Sequence, residues 1–248
     1  MAIVRPFAAV RPRPELAGKI CELPYDVMSA AEARRMAEGK PLSFLRVSRP
    51  EIEFPEGTNP YGAGIYARGA ANFRRMMQRG ELVQDAAPAY YLYRQVLGGH
   101  SQVGLVAVAS CQEYLEGTVR KHEHTRPDKE DDRVRHIEAL EAQTGPAFLV
   151  YRTNVEVAAA VEVVLGGAPE IDFVAEDGVR HSAWVIREVA LMAKIESSFA
   201  RVPMLYIADG HHRTAAAARV SQARAGVGQS GFFLAVLFPE DQVQILPY

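Results

Sequence analysis

The chain has 248 residues, 48% of them hydrophobic and 23% charged, with a formal net charge of −2. That length supports a sizeable core in one large or two small domains, and the charge balance argues against nucleic acid or a membrane surface as partner. No apolar run approaches the roughly 18 to 20 residues of a membrane span, no leader-like segment follows Met1, and Cys21 and Cys111 make neither a disulfide framework nor a zinc knuckle; the expected compartment is the cytoplasm.

Ile3 to Val10 reads as a strand, closed by Arg-Pro-Arg-Pro at 11–14. An apolar stretch from Ile20 to Met28 is broken by Pro24. Ser29 with Glu32 forms a capping box, so a helix is expected from about 30 to 38, ending at Gly39. Ser43 to Val47 alternates and predicts a strand, and the Pro, Gly and Asn content of 52–64 predicts a surface loop. Ile65 to Gln78 has helical spacing and stops at Gly80.

Ala89 to Val96 and Gln102 to Ala109 predict a hairpin with a longer loop at 97–101. A sub-boundary falls near 85–90. Pro127 suits a first helical position, and Val134, Ile137 and Leu140 supply a stripe for a helix over 127–143. Further on come a strand at 148–151, a helix at 155–165, two strands at 171–175 and 181–186 around a Glu-Asp-Gly turn, and a helix at 188–199. A strand follows at 205–209, then a helix from about 211. The runs 232–238 and 243–246 predict a last hairpin. Strands and helices are interspersed with hairpins, which makes the fold class α+β, or mixed α/β, with mixed sheets and flanking helices. The terminal Ile245-Leu246-Pro247-Tyr248 sits in a strand-like pattern with no closing element, as if the chain were the N-terminal part of something longer.

The most unusual stretch is Asp209-Gly210-His211-His212-Arg213-Thr214. Two histidines and an arginine in the first turn of a helix oppose the macrodipole, and the same turn leaves N–H groups pointing outward. An anion there, a phosphate or a carboxylate, reconciles both facts. The plainer reading makes Asp209 the helix cap and leaves the basic residues solvated. A second polar cluster runs from Arg120 to Arg133, and five of the seven histidines fall in or just beyond these two places: His122, His124, His136, His211 and His212.

Two chemistries use these residues. His122 and His124, two apart, face one side of an extended chain and could hold zinc or manganese if His211 or Asp209 came near. Phosphoryl transfer instead needs cations on phosphate oxygens, carboxylates for Mg²⁺ and one carboxylate to take the nucleophile's proton. Lys121, His122, His124, Arg133, His211, His212 and Arg213 supply the first; Asp26, Glu123, Glu130 and Asp209 supply the others. Asp131 and Asp132 read as a solvated helix end, while Glu130 and Arg133 can share a face with His136 or Ile137. No Walker A or Gly-x-Gly-x-x-Gly pattern occurs, and no Gly-x-Ser-x-Gly supports a serine hydrolase. Both cysteines read as inert.

Pro24-Tyr25-Asp26-Val27, Arg49-Pro50-Glu51, His122-Glu123-His124-Thr125 with Lys129-Glu130 and Asp132-Arg133, and Asp209-Gly210-His211-His212-Arg213 resemble, in that order, the bacterial and archaeal family known as domain of unknown function 1015. The resemblance covers essentially the whole chain, and family members continue past its end. The Asp-Gly-His-His-Arg block also resembles the signature loop of the ParB/sulfiredoxin nucleotide-binding fold, whose relatives include kinases of free L-serine. The resemblance implies a kinase that transfers phosphate from ATP or ADP, with Mg²⁺, to the hydroxyl of L-serine; the expected partners are small molecules, with no nucleic acid or membrane on the grounds of charge, and a homodimer is allowed.

On that reading Asp26, Glu123 and Asp209 are the candidate catalytic acids, Asp26 a better candidate than Glu22. Asp209 and Glu130 would hold the metal. Tyr25, His122, His124, Thr125, Arg133, Gly210, His211, His212, Arg213 and Thr214 would bind nucleotide and substrate. The alternatives are a nucleotide-binding regulatory module without turnover and a metal-dependent hydrolase built on His122, His124 and His211.

Overall fold

Alternating apolar residues along 90–97 and 100–110 make two long strands whose Gly98-Gly99 turn brings Leu97 opposite His100. We describe residues 2–244 of a computed structural model. The strands are β1 (Val4–Arg5), β2 (Val10–Pro12), β3 (Leu82–Gln84), β4 (Tyr90–Leu97), β5 (His100–Ser110), β6 (Val119–Arg120), β7 (Ala147–Tyr151), β8 (Ile171–Val174), β9 (Arg180–Ile186), β10 (Leu205–Asp209) and β11 (Phe232–Pro239). The helices are α1 (Ala17–Ile20), α2 (Ala30–Met36), α3 (Leu45–Ser48), α4 (Ala63–Gln78), α5 (Cys111–Glu116), α6 (Pro127–Leu140), α7 (Val155–Leu165), α8 (Val189–Phe199) and α9 (His211–Ala223).

A mixed sheet in the order β6-β10-β7-β11-β5-β4-β9-β8, with β1 paired to β5, forms the centre. The chain is thus a mixed α/β protein with helices flanking one large sheet. β10 is parallel to β6 and antiparallel to β7, which places the end of β10 and the start of α9 beside the segment after β6. Tyr90, Leu92, Leu105, Leu149, Phe233 and Leu237 are buried in the main core together with Val157 of α7 and Phe199 of α8. A second core joins Ile20, Val47, Phe73, Met76, Leu82 and Leu140, and a third joins Ala33, Ala37, Leu45 and Ile52. Among the described residues no helix is long and apolar enough to cross a membrane.

Most elements fall where periodicity puts them, and the Ser29–Glu32 capping box is present in full. Four expectations are corrected. The strand at 43–47 is a single helical turn, because Leu45 and Val47 belong to two different cores and one turn delivers a side chain to each. Ile3 to Val10 is two strands rather than one: it breaks around Pro6, and β1 and β2 pair with different partners. The hairpin loop at 97–101 tightens to two glycines, with Gly98 at φ 57°. After β11, Glu240–Gln242 forms a short 3-10 turn and Val243 is extended but unpaired; the remainder of the expected strand at 243–246 lies outside the described residues.

Candidate functional site

Asp209 ends β10, and Gly210 turns the chain into α9 with φ 92°. A Cβ at 210 would lie 3.1 Å from the Ala147 Cα and 3.1 Å from the Arg213 guanidinium, so the turn needs glycine for both conformation and space. Gly210 is the helix cap and has no side chain to offer, so the plainer reading, with Asp209 as the cap, does not hold. The first-turn N–H groups of α9 are therefore left without a side-chain acceptor. Thr214 is fully buried, its hydroxyl donating to the Gly210 carbonyl at 3.0 Å.

Arg213 is the hub of the turn. It donates to the Asp209 carboxylate and to the Pro146 carbonyl, lies 3.5 Å from Asp26 Oδ2, and packs its stem over Gly145. Its Nε is buried and has no hydrogen-bond partner among the described residues. Asp26 thus reaches Arg213 from the N-terminal segment, some 180 residues away in sequence.

The two adjacent histidines do something else. His211 is buried, and its Nε2 accepts the His122 N–H at 3.5 Å while its Nδ1 lies 3.5 Å from Glu123 Oε2. Its ring packs edge-on against His122 at 4.4 Å. His212 Nε2 accepts the Arg126 N–H at 3.1 Å. A ring nitrogen that accepts an N–H carries no proton, so both histidines stitch α9 to the 122–126 segment as acceptors. Burial, then the neighbouring His122, lowers the His211 pKa. The cationic character of the helix start comes from Arg213.

The facing wall is built by α6. Arg133 lies over the Tyr25 ring, 4.1 Å from its centre, and holds Asp132 through two bonds of 2.9 and 2.6 Å. Asp132 also accepts from the Tyr66 hydroxyl at 2.8 Å and is largely buried, so the solvated reading is corrected for it. Asp131 pairs instead with Arg219 at 2.7 Å. Burial raises the Tyr25 phenol against the opposing pull of Arg133. Arg49 donates to the Tyr25 and Met28 carbonyls at 2.6 and 2.8 Å and pairs with Glu51 at 2.5 Å, which holds the Tyr25–Asp26 segment in place.

Several predicted residues stand apart. Glu130 bonds Thr125 and Arg219 rather than joining Asp209. His124 is exposed, and Lys121 sits over Tyr114 at 3.8 Å. His136 is a core residue, its Nε2–H donating to the Val47 carbonyl at 3.0 Å. Among the described residues no three His, Cys, Asp or Glu side chains converge to hold a metal. Cys111 is buried, which pushes its thiol up to about 11, whereas Cys21 is exposed. Sequence reasoning missed Arg49, Asp132 and Tyr66 as supports; the signal was there for Arg49, in its place within the Arg49-Pro50-Glu51 block.

Tyr25 and Arg213 line one end of a deep, mostly apolar cleft of about 1740 Å³ between the sheet and the N-terminal third of the chain. Around Arg213 and Tyr25 lie an uncapped helix start, Arg133 and the carboxylates of Asp26 and Asp209, while Glu123 lies beside His211; each of the three carboxylates is at least two-fifths exposed. No curated protein and no solved structure gives a match. The family described as protein of unknown function, DUF1015, matches residues 4–248, nearly the whole chain. The chain therefore belongs to the DUF1015 family.

Proposed function

We propose that the protein is a nucleotide-dependent small-molecule kinase that transfers a phosphoryl group from ATP or ADP to the hydroxyl of free L-serine. The observation that carries this reading is the convergence at Arg213: one guanidinium reaches Asp26 and Asp209 beside an uncapped helix start, with Arg133 and Tyr25 on the facing wall. A helix N-terminus flanked by arginine suits phosphate oxygens.

The residues divide the work on chemical grounds. A phosphate at the first turn of α9 competes with Asp209 and Asp26 for Arg213 and so releases those carboxylates. A carboxylate can then accept the serine hydroxyl proton; Asp26, once released, and Glu123, which lies beside His211 and not on Arg213, are the candidates. Asp209, at the mouth of the turn, fits one ligand position of Mg²⁺, a cation that takes one or two carboxylates and completes its shell with phosphates and water. When bound, Mg²⁺ would neutralise charge on the phosphates. Glu130, tied to Thr125 and Arg219, is the weaker metal candidate. The helix start, with its glycine turn, is also the feature that supports a ParB/sulfiredoxin-like core.

The test is incubation of the full chain with Mg²⁺, L-serine and either ATP or ADP, with phosphoserine measured by mass spectrometry and nucleotide binding by calorimetry. Phosphoserine that disappears in Arg213→Met and Asp209→Asn is the expected result. Nucleotide binding without product would favour a regulatory module. Absence of both would sink the phosphate site itself.

A further inference from the structure

The far end of the cleft has a chemistry of its own, independent of the phosphate reading. Alternation along β4 sends Tyr90 and Leu92 into the main core and Tyr91, Tyr93 and Gln95 to the opposite face. That face is only partly covered. From Leu234 on β11 through Val106 on β5 and Tyr91 on β4 to Val185 on β9 the cleft floor spans three inter-strand spacings, about 14 Å. Phe44, Phe73 and Leu82 face it from the other side.

The floor ends in a directed polar group. Gln102 Nε2 donates to Gln95 Oε1 at 2.9 Å, which ties the ends of β4 and β5 together beside Tyr93. The Tyr93 hydroxyl lies 2.6 Å from His181 Nδ1, a separation that suits a phenol O–H donating to an imidazole nitrogen rather than a ring N–H donating to a phenol oxygen. With Nδ1 accepting, the neutral imidazole carries its proton on Nε2. Phe173 stacks on the ring at 5.1 Å and Tyr93 at 5.9 Å, which fixes its plane. Burial lowers the His181 pKa and raises that of Tyr93, and both effects keep the pair uncharged.

The surroundings select the ligand's charge. Glu22, Glu176 and Asp177 line this end together with Lys19 and Lys40, and Lys40 is already paired to Glu176 at 2.7 Å. The excess of carboxylates disfavours an anion, and an N–H donor at His181 disfavours a cationic donor. We propose that the cleft binds a neutral, elongated, largely apolar molecule ending in a carbonyl-type oxygen, the oxygen accepting from His181 Nε2 and the body lying across β9, β4, β5 and β11. Predominantly apolar walls with a few placed polar groups are the usual make-up of such a site.

Nile red, a neutral planar dye with one carbonyl, is a suitable probe, and the anionic dye anilinonaphthalene sulfonate is its charge contrast. Titrated into the full chain, Nile red is expected to bind one to one with blue-shifted emission and more tightly than the anionic dye. His181→Phe, which keeps the stack and removes the donor, should weaken it about fivefold, and His181→Gln, which keeps an N–H, should restore most of that. Val106→Trp, or Leu234→Trp if the first variant melts early, should weaken it about tenfold or more by filling the floor. No saturable binding, tighter binding of the anionic dye, or wild-type affinity in a folded His181→Phe or tryptophan variant would overturn the proposal.

Discussion

The guanidinium of Arg133 and the ring of Tyr25 are stacked at 4.1 Å, and each is held from behind, Arg133 by Asp132 and the Tyr25 carbonyl by Arg49. The stack joins α6 to a loop 108 positions earlier in the chain and sets one wall of the candidate site. Arg133→Ala should cost about 1 to 2 kcal/mol of stability, the range for a partly desolvated cation over an aromatic ring. Arg133→Lys should cost nearly as much, because an ammonium cannot make the forked contact to Asp132 while lying flat on the ring. Tyr25→Phe keeps the stack and should be close to neutral. Urea denaturation of the four proteins orders them, and a wild-type-like Arg133→Lys would show that the fork is unimportant.

Gly210 and Gly64 make a matched pair. At Gly210 the backbone is left-handed, and an added Cβ meets the Ala147 backbone at 3.1 Å. Gly64 lies in the first turn of α4 with ordinary helical backbone, and nothing comes within 4 Å of an added Cβ. Gly210→Ala should destabilise by about 1 to 3 kcal/mol and displace the start of α9. Gly64→Ala should stabilise by about 0.4 to 1 kcal/mol through the unfolded chain. Thermal melts followed by circular dichroism give both signs in one experiment.

How much of this was legible in advance depended on whether the controlling interaction was local. The capping box at Ser29, the helix at 155–165 and the strand–turn–helix at 205–223 carry their signals within a few residues. Leu45 and Val47 were misread because alternation is a strand signal only when one core receives the side chains, and here two do. At the site, the residue types at Asp209 to Arg213 pointed to an anion. What the histidines do there was not legible, since their partners are the backbone N–H groups of His122 and Arg126, about 90 positions away and indistinguishable from any others in the sequence. Asp132 looked like a solvated helix end for the same reason: its partner Tyr66 lies on another helix.

Those backbone contacts give a pH-dependent expectation. His211 holds the 122–126 segment only while its Nε2 lacks a proton; protonation would set one donor against another. Burial lowers the His211 pKa, so its contact should persist below the ordinary histidine range and fail only on further acidification. The protection of the His122 amide, taken relative to the intrinsic exchange rate at each pH, should therefore fall as the pH falls. At neutral pH His212→Ala should raise exchange at Arg126, and His211→Ala at His122. Unchanged exchange at Arg126 in His212→Ala would mean that the contact is not maintained in solution.

His136 offers a cleaner titration because it lies outside the site. It is buried, its Nε2–H donates to the Val47 carbonyl, and desolvation followed by the charge of Arg133 brings its pKa from 6.5 down to about 4. In the unfolded chain the ring takes up a proton at its ordinary pKa, while the folded protein resists until about 4. Between those values the unfolded state binds more protons, so stability rises with pH there and is lost as the pH falls, levelling off below the folded pKa. The contribution is about 3 kcal/mol in total, at most about 1.4 kcal/mol per pH unit. His136→Leu abolishes the titration but also the bond to Val47, so it should be less stable than the wild type at pH 7. As the pH is lowered to 4 the difference in urea stability between the two proteins should shift by about 3 kcal/mol in favour of the variant. A difference that stays constant over that range would place the acid sensitivity elsewhere, and comparing variant with wild type at each pH cancels the titration of every other group.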